Sequence, residues 1–196
     1  MARVVFVIPT DRLSPNQLHK RQQIVDAARR VLATQGLAAC SVRAVAEASP
    51  LTKSAIHYYF ADLDELVDAA MAGHIEAFLA RVRAAAGRGS DPIGCFWAAI
   101  EAYLGTFDEN PGAALLWYEY WIDAARKGRP EPVDRMNREV VGMITELLEA
   151  VPVPGAAVRA EAVFSALLGL VVQQSVRRRP SEEVRELIRL SAGLRT

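Results

Sequence analysis

The chain has 196 residues, 52% of them hydrophobic, with 23 Lys and Arg against 23 Asp and Glu. That is enough apolar material for a buried core, which sets aside a disordered chain, and two cysteines with no C-x-x-C pair, Cys40 and Cys95, argue against a disulfide framework or a cysteine zinc site. The neutral total hides an asymmetry: residues 1–60 carry eight Lys or Arg against three acids, a net +5, and the remainder carries −5, so the first third is the part suited to a polyanion.

The N-terminal arm, residues 1–15, contains the apolar run Val4 to Ile8. A secretory signal needs ~7–15 apolar residues and a small-residue cleavage site. No charge-free apolar run approaches the ~20 residues of a membrane span, so a cytoplasmic protein without a membrane partner is expected. Pro15 and Asn16 open a first helix, with Ile24, Ala27, Ala28, Val31 and Leu32 on one face. Gly36 fits the left-handed position beyond its end. Ser41 is a predicted N-cap for a short helix from Val42 to Ala48. Ser49-Pro50-Leu51 breaks the chain, because Pro50 disfavours helix at Ser49. Thr52 is placed to cap a second short helix, Lys53 to Tyr59. Asp62 and Glu65 then make a capping-box-like start for a long helix, Leu63 to Ala86.

The second half has longer units. Asp91-Pro92 starts a helix with Phe96, Ile100, Tyr103, Leu104 and Phe107 as its apolar stripe, broken at Asn110-Pro111-Gly112. Helices follow at about Ala113 to Arg126, from Pro132 to the Pro152–Gly155 break, at Ala156 to Val176, and from Ser181 onward. No period-2 pattern stands out beyond the arm. The predicted class is all-α with about nine helices.

Residues 41–60 have the grammar of a helix-turn-helix, two short helices about a break, packed on a third. Helices this short need tertiary support from Val42, Val45, Leu51, Ile56 and Phe60. The second of them presents Lys53, Ser54, His57 and Tyr58, whose ammonium, hydroxyl and ring groups suit phosphates and base edges. Ser41, Arg43, Thr52 and Tyr59 complete the candidate nucleic-acid set. No Ser-His-Asp, paired-carboxylate or Gly-rich phosphate-loop pattern accompanies them, and His19, His57 and His74 are scattered, so neither an enzyme, a metal nor a cofactor is expected.

Two stretches carry a resemblance: R-Q-Q-I-V-D-A-A-R-R-V-L-A-T-Q-G from Arg21, and S-V-R-A-V-A-E-A-S-P-L-T-K-S-A-I-H-Y-Y-F-A-D-L-D-E-L from Ser41. From about Gln17 to Ile75 the chain resembles the DNA-binding domain of the TetR family of bacterial transcriptional regulators. Val45-Ala46 stands at the family's apolar-Ala pair, Ile56 and Phe60 at core positions of its recognition helix, and Asp64-Glu65-Leu66 at the start of its fourth helix. The chain departs from the family pattern in four places. Pro50 replaces the usual turn glycine, His57 a frequent tyrosine, Leu63 a common lysine, and Ala55 a small hydroxyl residue.

The resemblance implies a DNA-binding domain over residues 16–62 and a ligand-binding and dimerisation domain over 63–196. It implies a homodimeric repressor, released from a pseudo-palindromic double-stranded operator by a small-molecule effector whose identity is left open. Aromatic side chains crowd the fifth and sixth helices, and Leu116 to Trp121 weakly resembles the branch of choline-sensing repressors. The candidate effector residues are Phe96, Trp97, Ile100, Trp117, Tyr120, Trp121, Met143 and Phe164, although an aromatic stripe is more often plain core. The last two helices are expected to pair across a twofold through Leu167, Gly169, Leu170, Gln174 and Leu187. Arg177-Arg178-Arg179 is assigned to a helix C-terminus rather than to DNA. The alternatives are a helical protein-binding module with degenerate DNA affinity, or a small helical enzyme using the aromatic region.

Overall fold

The computed structural model describes residues 13–195; the Val4 to Ile8 run lies outside them. Nine helices occur among the described residues: α1 (Pro15–Gln35), α2 (Val42–Glu47), α3 (Lys53–Tyr59), α4 (Leu63–Ala86), α5 (Pro92–Glu109), α6 (Pro111–Arg126), α7 (Glu131–Glu149), α8 (Ala156–Val176) and α9 (Ser181–Ala192). The chain divides into two compact units, Met1–Glu76 and Ala77–Thr196. The division falls inside α4, whereas the sequence reading set it before that helix, at residue 62.

In the first unit, α1 packs on α2 and α3. Ile24, Ala27, Ala28, Val31 and Leu32 of α1 are buried with Val45, Ile56 and Phe60, and each large aliphatic side chain so buried is worth about 1.5–3 kcal/mol. Ser14 caps α1 in a full capping box with Gln17. At the other end the Gly36 N–H donates to Leu32 O, but Gly36 has φ 78° and ψ 177°. This is not the expected left-handed helical cap; it is an extended region of positive φ that only glycine occupies comfortably. Asp62 accepts from the Glu65 N–H at 2.8 Å, and Glu65 accepts from the Ala61 N–H at 2.7 Å, so α4 starts where the carboxylate pair predicts.

In the second unit, α7 packs chiefly on α8, and α8 on α9, while α5 touches α6, α7 and α8. α7 buries Val133, Met136, Val140, Met143, Ile144 and Leu148, and α9 buries Val184, Ile188 and Ala192. Pro111 and Pro132 each lie in the first helical turn, so α6 begins at Pro111 rather than near Ala113 and α7 at Glu131 rather than at Pro132. Gly89 closes the loop before α5: a Cβ there would stand 2.6 Å from Cys95 Cα.

α8 is apolar on two faces. Val163, Leu167, Leu170 and Val171 are buried. Outward lie Val158 (76% exposed), Ala162, Ser165, Gly169, Val172 and Val176 (88% exposed), spaced alternately four and three apart. By length and composition its Ala156–Gln174 stretch would suffice to cross a membrane, since Arg159 and Glu161 break the charge-free run only near one end.

Candidate functional site

Two capped helices and a proline turn build the candidate nucleic-acid surface. Ser41 Oγ accepts from the Ala44 N–H at 3.1 Å, and Thr52 Oγ1 from the Ala55 N–H at 3.3 Å. Each cap satisfies an N–H that a helix this short could not otherwise pair. Between them, Ser49 Oγ accepts from the Leu51 N–H at 3.1 Å. No described non-glycine residue has positive φ, so the turn at Pro50 is made without a left-handed residue. The result is an exposed row on α3 of Lys53, Ser54, His57 and Tyr58.

Tyr59 does not belong to that row. It is 6% exposed and meets Tyr58 edge-on at 4.9 Å between ring centres, so it is part of the unit's core. Burial and the neighbouring Tyr58 push its phenol pKa up. Arg43 is exposed and its guanidinium donates to Glu47 at 2.9 Å, one turn on. That pair raises the Arg43 pKa through the Glu47 hydrogen bond and charge.

Three residues that local patterns did not single out complete the surface. Gln17 Nε2 donates to the Tyr58 hydroxyl at 2.9 Å, and Gln17 Oε1 accepts from the Ser14 N–H at 2.9 Å. Arg30 Nη2 donates to Ala48 O at 2.8 Å, closing the C-terminus of α2. The Arg21 guanidinium lies 4.5 Å over the Phe60 ring. Tyr58, Ala48 and Phe60 are too distant in the chain from Gln17, Arg30 and Arg21 for spacing rules to find.

On α4, His74 is half-buried beside Arg29. Arg29 lies across Gly73, its Cδ 3.3 Å from where a Cβ would stand. Arg29 Nε and His74 Nε2 are both shut from water without a hydrogen-bond partner. Burial and the Arg29 charge hold the imidazole below its usual range, against a hydrogen bond with the Arg29 backbone that favours the proton.

In the second unit the candidate effector residues are spread through a packed interior. Phe96, Ile100, Trp117, Tyr120, Met143 and Phe164 are buried, and Trp97 and Trp121 are half-buried. Trp117 and Tyr120 touch at 6.2 Å between ring centres, and Tyr118 stacks on Trp121. The Tyr118 hydroxyl donates to Leu168 O at 2.6 Å, tying α6 to α8. Met143 borders an open cavity of about 430 Å³ with Arg83, Cys95, Glu146 and Leu147. Trp97 borders another, of about 290 Å³. Neither cavity is lined by Phe96, Ile100, Trp117, Tyr120, Trp121 or Phe164.

The candidate dimer residues separate as well. Leu167 and Leu170 are 0% and 3% exposed, so they are buried in the core of the chain itself rather than on its surface as expected. Gln174 is half-buried and its Oε1 accepts from the Arg179 N–H at 2.7 Å. Gly169 lies on the outward face of α8, and Leu187 (40% exposed) lies on α9 with Leu190 (59%). Of the basic triplet, Arg179 donates to Gln173 Oε1 at 2.8 Å in the last turn of α8, and Arg178 faces Asp108 at 3.6 Å.

Residues 24–70 match the family model described as bacterial regulatory proteins, tetR family, and residues 91–193 match the tetracyclin repressor-like C-terminal domain. The HTH-type transcriptional repressor KstR2 of Mycobacterium tuberculosis is 27% identical over 96 residues, 47% of this chain and 48% of its own, so the chain spans about half the length of that relative. The HTH-type transcriptional regulator BetI of Stenotrophomonas maltophilia is 26% identical across 80% of this chain and 82% of its own. Among solved structures, the multidrug binding protein EbrR complexed with imidazole superposes with a TM-score of 0.71 at 28% identity, covering 94% of this chain and 97% of that one. EbrR complexed with proflavin gives 0.70 at 29% identity, covering 88% and 99%.

Proposed function

Because the chain belongs to the TetR family of bacterial transcriptional regulators, we propose that it is a cytoplasmic, homodimeric, effector-released repressor, regulatory rather than catalytic. The observation that carries the DNA half is the exposed row Lys53, Ser54, His57 and Tyr58 on a short helix held by Thr52 and by Gln17. Lys53 supplies charge for phosphates, and His57 and Tyr58 supply donors and ring edges for the major groove. Two such helices related by a twofold read half-sites ~34–36 Å apart, or a near multiple.

The effector is assigned to the second unit. Its supports are the aromatic content of α5 and α6, the 430 Å³ cavity beside Met143, which falls in the ~300–1,000 Å³ range of small-molecule sites, and the likeness to EbrR, itself seen with imidazole and proflavin. α4 contributes residues to both units and is the covalent route for coupling, typically ~1–3 kcal/mol. The dimer surface is assigned to the outward row of α8, Val158, Ala162, Ser165, Gly169, Val172 and Val176, with Leu187 and Leu190 of α9. Small residues at its middle allow close approach of two helices.

Fluorescence anisotropy with DNA fragments flanking the chain's own gene, at two salt concentrations and against random DNA, tests the reading. One fragment bound well above random DNA, with affinity falling steeply with salt, is the expected result. Equal weak binding to every fragment, in a dimeric preparation, overturns it. Sedimentation of Val172→Glu tests the assembly: a shift to monomer is expected, and an unchanged dimer moves the interface elsewhere.

A further inference from the structure

The 290 Å³ cavity shares no lining residue with the 430 Å³ one and joins the first turns of α5 to the α7–α8 turn and the end of α9. Its floor is apolar: Ile93, Trp97, Val151, Val153 and Leu194, with Pro152 and Pro154 at the side. Its rim is cationic, carrying Arg185, Arg189 and Arg195.

The rim is organised. The Arg185 guanidinium lies 3.9 Å over the Trp97 indole, and its Nη1 meets Glu101 at 3.1 Å. Arg189 grips Glu186 through Nε and Nη2 at 2.6 and 2.7 Å and donates Nη1 to Leu194 O at 2.6 Å. A fourth arginine, Arg159, donates Nε to Pro154 O at 2.7 Å and fills the space that a side chain on Gly193 would take. Among the described residues, four guanidinium groups thus stand against two carboxylates, Glu101 and Glu186. The excess is positive, while the floor beneath it has no charge of its own.

Such a site discriminates by both ends of a ligand. The apolar floor favours a hydrophobic body, and planar guanidinium forks match a carboxylate. The volume lies just under the range of typical ligand sites, which selects a small molecule. We propose that this cavity binds a small amphipathic carboxylate, its apolar body over Ile93, Trp97 and Leu194 and its carboxylate on Arg185 and Arg195. This goes beyond the effector assignment above: the site lies wholly within the second unit and needs neither DNA nor the cavity beside Met143.

The test is calorimetric titration of the full chain with 1-naphthoate, and with the neutral 1-naphthalenemethanol as control. 1-Naphthoate is expected to bind at least tenfold more tightly than the alcohol. Arg195→Gln and Arg185→Gln are each expected to weaken it about tenfold, the size of one charge-assisted hydrogen bond. Arg195 is exposed, so its variant should keep the native circular dichroism. Equal affinity for the alcohol, or 1-naphthoate binding unchanged in both variants, overturns the proposal. Because no readout involves DNA, failure of the operator reading leaves this result standing, and the reverse.

Discussion

The Gln17 side-chain amide donates to the Tyr58 hydroxyl at 2.9 Å and so ties the exposed face of α3 to the first turn of α1. The same Gln17 closes the capping box of Ser14. The two substitutions at this contact therefore have different signatures. Tyr58→Phe removes only the hydroxyl: operator affinity is expected to fall several-fold, while the melting temperature stays within about 2 °C, since an exposed hydrogen bond that water can replace is worth only about 0.5 kcal/mol. Gln17→Ala also loses half the cap and should lower both affinity and melting temperature, the latter by a further ~2–4 °C for a loss of about 1 kcal/mol. Anisotropy and thermal denaturation on the two variants separate the effects.

Lys53 is exposed at the first position of α3. Lys53→Ala is expected to weaken specific and random DNA alike and to reduce the slope of log affinity against log salt by about 1, the removal of one phosphate contact. A loss confined to the specific fragment, with the slope unchanged, would instead make Lys53 a base reader. Salt titrations on both DNAs give the answer.

His74 links stability to acid. Its pKa is held down in the folded chain by burial and by Arg29. As pH falls through the ordinary histidine range the unfolded chain takes up a proton that the folded chain still refuses, so stability drops there and levels only below the folded pKa. Urea midpoints at pH 7.5 and 5.5 should differ more in the parent chain than in His74→Gln. Equal differences would show that His74 does not carry the acid sensitivity.

Gly36 holds φ 78° and ψ 177° at the end of α1. Gly36→Ala is expected to cost about 1–3 kcal/mol, the strain of an L-residue in that region. Denaturant unfolding should show a lowered midpoint at unchanged slope.

Most of the helices were legible in the chain because their ends are written locally: Pro15, Ser41, Thr52, Asp62 with Glu65, and Asp91-Pro92 each stand at or beside the observed start. What failed was facing. α3 has seven residues, and neighbouring Tyr58 and Tyr59 are set about 100° apart, so which one is buried depends on where α1 lies rather than on any period. α8 is apolar on both sides, and a helix apolar all round has no moment to tell its inner leucines from its outer valines. Leu167 and Leu170, which are buried, were therefore expected to face outward, while the exposed Val158, Val172 and Val176 were passed over. Gln17 and Tyr58 are 41 positions apart, beyond the reach of any spacing rule. The arginine-rimmed cavity was invisible for the same reason: its parts come from α5, α9 and the segment between α7 and α8.

With the dimer surface proposed above, the outward row of α8 makes protein concentration a thermodynamic variable for this chain. A lone protomer holds Val158, Val172, Val176 and Leu190 in water, and every copy that covers them draws the folding equilibrium along by mass action. Dilution alone then lowers the temperature at which the second unit unfolds, with no change in any contact inside a protomer. In a cell, such a regulator is most easily lost when it is scarce.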